Sequence, residues 1–295
     1  MTGTISEVLI LGVNGGFGAL FSGLLSDKGV VVHGVDRAEH PSSRVRCAHY
    51  LACDVLAPDE NMRAVARQAD CLLFCLPEAV VLTALKTFAA LAAPGTLLVD
   101  TLSIKTPVAG IVSGVRADLE HLSVNPMFAP EVGFAGQNVA AVAVVAGPRC
   151  APFVSLMEAW GSRVVRMSVD EHDRQTAITQ VATHAAVLAF GYCLERLGYD
   201  AETAWSIATP PHRMLMALVA RIASKDPEVY WEIQVDNPFA EQARETLLGC
   251  LKDLDDMVRK HRRGAFHDAA ATSREVLEPI MPALMELSER LIRSA

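Results

Sequence analysis

Residues 7–18 read EVLILGVNGGFG, a short apolar run followed at once by a glycine-rich turn. The run has the composition of a buried strand, and the residues after the turn have that of a helix. Gly15 and Gly18 match the second and third glycines of the fingerprint G-x-G-x-x-G, whereas Val13 occupies the first position and Gly12 precedes it. Glycine at 15 lets a pyrophosphate approach the backbone, and the helix N-terminus favours its negative charge.

A carboxylate follows this turn at the distance that a dinucleotide site requires. The next predicted strand, VVVHGVD, ends in Asp36, about twenty residues beyond the glycines. A carboxylate there accepts hydrogen bonds from both adenosine ribose hydroxyls and repels a 2′-phosphate, which favours NAD over NADP. Arg37 follows Asp36 directly, so NADP stays an alternative cofactor. The residues predicted to bind the dinucleotide are Gly12, Asn14, Gly15, Gly16, Phe17, Gly18, Asp36 and Arg37.

The first 167 residues repeat one pattern, an apolar run, a turn and a helical stretch. This alternation predicts a parallel sheet with crossover helices, and runs apolar throughout are typical of strands covered on both faces. The predicted strands are 7–13, 30–35, 71–77, 95–100, 121–126, 139–147 and 163–168, with helices such as 78–93 and 151–160 between them. We therefore predict an α/β nucleotide-type domain over residues 1–167.

The strand pattern stops after Met167, where a second, helical domain is predicted over residues 168–295. Ser168 and Glu171 form an S-x-x-E capping box, and the helix that it starts runs to Gly198. Every later segment has a helical pattern, with breaks at 208–212 and 235–238.

Composition excludes several classes of protein. With 51% hydrophobic and 20% charged residues the chain is too apolar for disorder, and its longest uncharged apolar run, NVAAVAVVAG, is too short to span a bilayer. The start, MTGTISEVLILG, has no basic leader, so we expect a cytoplasmic protein without a membrane partner. A net charge of −8 argues against nucleic acid, and RKHRRG at 259–264 is interpreted as a solvated helix end. Seven cysteines without metal-ligand spacing predict reduced thiols and no metal site.

Three later stretches carry a resemblance to a known family. They are DTLSIK at 100–105, NPMFAP at 125–130, and the paired helical segments 170–191 and 210–233. With the glycine turn, in this order and spacing, they resemble the prephenate/arogenate dehydrogenase family of tyrosine biosynthesis. The resemblance implies a Rossmann-type parallel-sheet domain followed by an all-helical dimerisation domain. It also implies NAD- or NADP-dependent oxidative decarboxylation of a small cyclohexadiene dicarboxylate by a homodimer.

The resemblance assigns roles to six residues by position. Ser103 would lie beside the reacting carbon, Pro77 would line the nicotinamide side, Arg221 would bind a substrate carboxylate, Gln180 and His184 would face the pocket, and Arg213 would add positive potential at its mouth. A guanidinium suits the carboxylate because its two parallel N–H groups pair with both oxygens.

Asn125 departs from the family pattern. The family's usual stretch is HPMFGP, and its histidine accepts a hydrogen bond from the ring hydroxyl while hydride leaves the same carbon. In this sequence Asn125 occupies the position of that histidine, and an asparagine cannot act as a base near neutral pH. Ala129 replaces the glycine of the family's stretch. Three explanations stay open: an impaired prephenate dehydrogenase, a base supplied by another residue such as His184, or a substrate that needs no base.

The third explanation predicts an amine in place of the ring hydroxyl. A neutral nitrogen can expel hydride with its own lone pair, and Asn125 can hold the amine through its side-chain oxygen. Enzymes that oxidise 4-amino-4-deoxyprephenate to 4-aminophenylpyruvate resemble members of this same family. On that resemblance we predict NAD-dependent oxidative decarboxylation of this compound, with Asn125, Ser103 and His184 as catalytic residues. The alternatives are a prephenate or arogenate dehydrogenase, a non-catalytic NAD-binding sensor, and a reductase using Lys225 as its acid. The sequence does not distinguish a pyruvyl from an alanyl side chain on the substrate.

Overall fold

The fold is described by a computed structural model that covers residues 3–112, 114 and 116–294. Its contacts divide the chain into two compact units, Met1–Gln175 and Thr176–Ala295. The strands of the described residues all lie in the first unit and are β1 (Glu7–Leu11), β2 (Val31–Asp36), β3 (His49–Ala52), β4 (Cys71–Phe74), β5 (Leu97–Asp100), β6 (Glu120–Pro126), β7 (Asn138–Val145) and β8 (Arg163–Arg166).

These strands form one sheet in the order β3-β2-β1-β4-β5-β6-β7-β8, and every neighbouring pair is parallel except β6 and β7. The predicted α/β class with a parallel sheet is confirmed. The antiparallel pair follows from its short connection, since a parallel strand needs a crossover of a dozen or more residues, usually helical. Residues 127–137 hold only the 3₁₀ turn Pro130–Val132. Strand β3 was not predicted, because its residues, HYLA, form no apolar run.

Helices cover both faces of the sheet. The helices of this unit are α1 (Gly16–Asp27), α2 (Glu60–Gln68), α3 (Glu78–Leu91), α4 (Thr106–Val112), α5 (Cys150–Ala159) and α6 (Val169–Thr176), whose last residue opens the second unit. One core lies around Phe21 and Phe153, and the other lies around Phe74 and Phe88. Because both faces are buried, β4 and most of β1 and β5 are apolar, whereas the buried strand β6 also contains polar residues such as His121, Ser123 and Asn125.

The site residues of the first unit lie where the parallel strands end. Gly12 follows β1, Asp36 ends β2, Ser103 follows β5 and Asn125 lies near the end of β6. All of these strands run in the same direction, so their carboxyl ends meet at one edge of the sheet. The order of the strands reverses between β1 and β4, the place where open α/β sheets bind their ligands.

The second unit consists of helices. They are α7 (Thr183–Arg196), α8 (Ala201–Ser206), α9 (Pro210–Ala223), α10 (Pro227–Asp236), α11 (Ala240–Arg259), α12 (Arg263–Leu277) and α13 (Met281–Ser294), with a π-helical segment at Ala177–Ala182 and a 3₁₀ turn at Glu278–Ile280. The break predicted at 208–212 is confirmed only in part, because α8 ends at Ser206 but α9 already begins at Pro210, whereas α10 ends at Asp236, within the break predicted at 235–238.

The helical run that contains α6, the π segment and α7 starts at the predicted capping box. The Ser168 backbone N–H donates to Glu171 Oε2 at 2.8 Å, and the Glu171 N–H donates to Ser168 Oγ at 3.3 Å. Among the described residues this run, Val169–Arg196, is the one helix long and apolar enough to cross a membrane, and its most apolar window is only 17% buried. Ile178 and Tyr192 illustrate this exposed apolar surface, at 64% and 63% exposure.

Candidate active site

A cavity of about 240 Å³ opens at the carboxyl edge of the sheet. It is lined by Gly12, Gly15, Asp36, Arg37, Asp54, Val55, Leu56, Cys75, Leu76, Pro77 and Val80. Five of the predicted cofactor residues are in this lining. The cavity lies at the ends of β1, β2 and β4, at the switch in strand order, where a dinucleotide binds in this class of sheet.

The glycine turn has no room for side chains. Gly12 adopts a φ of +84°, and a Cβ there would lie 2.4 Å from the Cys75 carbonyl oxygen. A Cβ at Gly18 would lie 2.2 Å from the Gly12 carbonyl oxygen. Helix α1 begins directly after Gly15, and no side chain caps it. Its first N–H groups and its dipole therefore form the anion-binding end that a pyrophosphate requires.

Two further predicted residues support this turn by packing. Gly16 lets Pro130 approach, since a Cβ at Gly16 would lie 2.4 Å from the Pro130 ring. Phe17 packs edge-on against Phe128, with 5.8 Å between ring centroids. Both contacts join α1 to the segment that follows β6.

Asp36 is held at the end of β2 by backbone donors. Its Oδ2 accepts from the Asn14 N–H at 3.0 Å, and its Oδ1 accepts from the Ala38 N–H at 3.3 Å. The Asn14 side chain fixes the following loop, because it donates to Tyr50 Oη at 3.1 Å and accepts from the Ser42 N–H at 2.8 Å. A tight glycine turn, an uncapped helix N-terminus and a strand-end carboxylate together fit an adenine dinucleotide that lacks a 2′-phosphate.

Replacing the Asp36 charge should relax the choice of cofactor. Asp36→Asn is expected to raise the ratio of kcat/KM for NADP to that for NAD by ~10–100-fold, the factor that a hydrogen bond to a charged group provides. Initial rates with both cofactors measure this ratio. Asp54→Asn is the matched control, because it removes a carboxylate from the same cavity away from the end of β2. An unchanged ratio in Asp36→Asn would show that the carboxylate does not face the ribose.

Asn125 is 2% exposed and is held by its side-chain amide nitrogen. This nitrogen lies 3.4 Å from the Ser103 carbonyl oxygen and 3.2 Å from His172 Nε2. His172 Nδ1 in turn lies 2.7 Å from Asp173 Oδ1, and both of these residues are fully buried. The structure thus brings the predicted Asn125 and Ser103 together, and it adds His172 and Asp173, which were not predicted.

Asp173 ties this cluster to the loop after β5. It accepts hydrogen bonds from the backbone N–H groups of Lys105 and Thr106, each at 2.9 Å, and from Thr106 Oγ1 at 2.6 Å. Lys105 is fully buried, and its ammonium group donates to the carbonyl oxygens of Leu102 at 2.6 Å and Val124 at 2.9 Å. The start of α6, the loop after β5 and the end of β6 are therefore joined around Asn125.

Burial and charge set the protonation states in this cluster. Burial lowers the pKa of His172, and the hydrogen bond that His172 donates to Asp173 only partly opposes this effect. For Asp173, burial would raise the pKa, but the hydrogen bonds from His172 and Thr106 lower it overall. Burial also lowers the pKa of Lys105 to about 8, although the negative charge of the neighbouring Asp100 opposes this shift. At neutral pH His172 is consequently a neutral imidazole beside the Asp173 carboxylate.

The predicted residues of the helical unit lie on three of its helical segments and are described within that unit. Gln180 is in the π segment and His184 is in the first turn of α7. Gln180 Oε1 and His184 Nδ1 are buried without a hydrogen-bond partner among the described residues. The His184 ring meets the Tyr230 ring edge-on at 5.0 Å, and burial lowers the pKa of His184. π-Helical segments of this kind are frequent at functional sites.

Helix α9 carries both predicted arginines. The Arg213 guanidinium stacks on the Trp205 ring, 5.2 Å from its centroid, while Arg221 lies exposed in the last turn. Helices α7 and α9 approach closely at Gly191, where a Cβ would lie 2.8 Å from the Val219 side chain. No group of three or more His, Cys, Asp or Glu side chains is arranged to hold a metal ion in the part of the chain that the structure describes.

Comparison with known proteins identifies relatives along most of the chain. Residues 168–271 match the family model described as prephenate dehydrogenase, dimerization domain. A 4-amino-4-deoxyprephenate dehydrogenase from Streptomyces pristinaespiralis is 39% identical over 269 residues, which cover 91% of this chain and 90% of that protein. A probable arogenate/prephenate dehydrogenase from Methanocaldococcus jannaschii is 24% identical over 90% of this chain and 60% of its own length.

A solved structure shares the fold. The prephenate dehydrogenase from A. aeolicus, in complex with hydroxyphenyl propionate and NAD+, matches with a TM-score of 0.69 at 17% identity. The match covers 96% of this chain and 99% of that one. The chain therefore shares the fold of that structure.

Proposed function

The chain belongs to the prephenate dehydrogenase family of NAD-dependent oxidoreductases, and we propose that its substrate is 4-amino-4-deoxyprephenate, which it converts to 4-aminophenylpyruvate. The observation that carries the proposal is Asn125, a buried amide at the end of β6 in place of a proton acceptor. An amide can hold an amine but cannot remove a proton from a hydroxyl group. The 39% identity to a protein named for this reaction supports the same assignment.

The proposed chemistry needs no base during the oxidation. NAD, when bound, supplies the acceptor for the hydride that leaves the amine-bearing ring carbon. The nitrogen lone pair forms a C=N bond as that C–H bond breaks, which leaves a positively charged iminium. The ring carboxylate then departs as CO₂, its bonding electrons enter the ring, and the iminium becomes a neutral aniline. The neutral amine retains both of its protons throughout, so an asparagine suffices beside it.

The other site residues have proposed roles in binding the substrate. Arg221 would pair with a substrate carboxylate, and Arg213 would add positive potential. Gln180 and His184 would donate to or accept from the substrate, which is consistent with their unpartnered buried atoms. Ser103 would contact the reacting end of the ring, and Pro77 would line the nicotinamide side of the cofactor cavity.

The reaction is tested by supplying the wild-type enzyme with NAD and each of three dienes. We expect kcat/KM, followed as NADH formation, to be highest for 4-amino-4-deoxyprephenate and lower by ~10²–10⁴-fold for prephenate, the factor that a missing general base costs. Arogenate is the third substrate. Faster turnover of prephenate or arogenate would contradict the proposal, and NAD binding without turnover of any diene would indicate a sensor.

We also propose that the chain forms a homodimer through residues 168–295. The match of residues 168–271 to a dimerisation domain supports this, as do the exposed apolar side chains of the helical unit, including Ile207 at 80% exposure and Leu197 at 76%. A second subunit would cover such a surface. The proposed location is the cytoplasm, where the seven free cysteines would stay reduced.

A further inference from the structure

His172 is a fully buried histidine whose ring nitrogens both have partners in the first unit. Nδ1 faces Asp173 Oδ1 at 2.7 Å, and Nε2 faces the Asn125 amide nitrogen at 3.2 Å. The proposed reaction gives this residue no direct contact with substrate. Its position between a carboxylate and Asn125 nevertheless has a consequence for the orientation of that amide.

The carboxylate determines the tautomer of the imidazole. A carboxylate can only accept hydrogen bonds, so the neutral ring of His172 must carry its proton on Nδ1. Nε2 is then an acceptor. The group of Asn125 that faces Nε2 must be a donor, which is the amide nitrogen.

This tautomer leaves one orientation for the amide. Its two N–H groups point at His172 Nε2 and at the Ser103 carbonyl oxygen. Asn125 Oδ1 has no donor among the described residues. The carbonyl oxygen is therefore the part of the amide that remains for a ligand.

We infer that Asp173 and His172 form a positioning relay that fixes the Asn125 side chain with its oxygen toward the substrate, so that this oxygen accepts a hydrogen bond from the ring amine. The inference rests on the proposed function, since it explains how Asn125 serves that substrate. An oxygen held there accepts an amine N–H and binds it more strongly as positive charge develops on the nitrogen. The reversed amide would direct its N–H groups at that charge.

Removing the acceptor nitrogen tests the relay. His172→Phe keeps a planar ring in place but leaves the amide of Asn125 free to turn. We expect kcat/KM for 4-amino-4-deoxyprephenate to fall by ~10–100-fold, the factor for one hydrogen bond to a charged group, with the loss mainly in kcat. The KM for NAD should not change, and Tm reports any general loss of structure.

A double-mutant cycle with Asn125→Ala distinguishes positioning from a structural role. In the Asn125→Ala background there is no amide to orient, so adding His172→Phe should change kcat by less than about twofold, well under its effect in the wild type. Losses that multiply in the double variant would overturn the inference. His212→Phe is a matched control, because it replaces another histidine with a defined hydrogen-bond partner, Tyr199 Oη at 2.9 Å.

The tautomer can be observed directly in the intact wild-type enzyme. In a protein labelled with ¹⁵N-histidine, the resonance of His172 is assigned as the one perturbed by Asn125→Ala. We expect it to show a protonated Nδ1 and an unprotonated Nε2 at neutral pH, and a protonated Nε2 would overturn the inference even where His172→Phe fails to fold. The spectrum does not depend on turnover. A wild type inactive on the amine would thus refute the proposed function while leaving the relay to be judged separately.

Discussion

Replacing Asn125 with histidine is expected to give the enzyme activity on prephenate, with a gain in kcat/KM of ~10²–10⁴-fold over wild type, the usual contribution of a general base. The surroundings are suited to this change. A histidine at 125 can donate one ring N–H to His172 Nε2, which lies 3.2 Å from the present amide nitrogen. Its other nitrogen is then left as an acceptor toward the ring hydroxyl, the arrangement that proton removal requires.

The same variant is expected to lose activity on the amine, because an imidazole that takes up a proton repels the developing iminium. Steady-state rates on both dienes, measured from pH 5 to 9, check both changes. A histidine base must be neutral, so the new prephenate activity should rise with pH through the ordinary histidine pKa of about 6.5.

Asn125→Ala is the control for this substitution. It should lower turnover of the amine without creating prephenate activity, because it removes the hydrogen bond and supplies no base. Prephenate activity in Asn125→Ala as high as in Asn125→His would show that side-chain size at 125, and not proton transfer, limits the wild type. A histidine variant that stays inactive on prephenate with an unchanged Tm would contradict the assignment of Asn125 to the reacting centre.

The sequence predicted most of the sheet because most of its strands are largely apolar, although the buried strand β6 also contains His121, Ser123 and Asn125. Strand β4 is buried at every position and was predicted, whereas β3, exposed or half-buried throughout, was not. The reversal of β7 was also not predicted, since the direction of a strand depends on its connection and leaves no trace in its own residues. The starts of helices were easier to predict from the sequence, because a capping box such as Ser168 with Glu171 is a local pattern.

Within the candidate site, the sequence identified Asn125 and Ser103 but not the relay beside them. His172 is 47 residues from Asn125 along the chain, and only the packing of α6 near the end of β6 brings them together. One signal was present in the sequence: a histidine directly beside an aspartate in the first turns of a predicted helix. That pattern alone is common, and burial of both side chains is what gives it meaning.

The burial of Lys105 was likewise not predicted. Lys105 is the last residue of DTLSIK, and its side chain is fully buried. Its ammonium group donates to the carbonyl oxygens of Leu102 and Val124 and lies 3.9 Å from Asp100 Oδ1. Asp100 also accepts from His121 Nε2 at 2.7 Å and from Ser123 Oγ at 2.6 Å. A lysine in a loop is usually solvated, so the sequence gives no reason to expect this network.

Lys105→Met is expected to lower the free energy of unfolding by ~3–5 kcal/mol, the usual cost of removing one partner of a buried ionic pair. Two buried carbonyl oxygens lose their donor, and Asp100 loses its nearest positive charge. Urea unfolding and a fall in Tm of roughly 10 °C measure this loss. Lys86→Met is the matched control, because it removes an exposed lysine from α3 and should stay within ~0.5 kcal/mol of wild type.

The pH dependence of this difference tests whether the buried ammonium is its cause. Burial lowers the Lys105 pKa to about 8, from 10.5 for an unburied lysine, against the opposing charges of Asp100, Asp173 and Glu78. Between these two values the unfolded chain retains a proton that the folded chain has released, so the stability of the wild type gains with rising pH. Lys105→Met lacks that gain. The gap in Tm between wild type and Lys105→Met should therefore widen from pH 8 to pH 10, whereas the gap to Lys86→Met should stay constant. A gap that stays constant or narrows over this range would mean that Lys105 keeps its proton in the folded state and that its charge, with Asp100, holds the loop after β5.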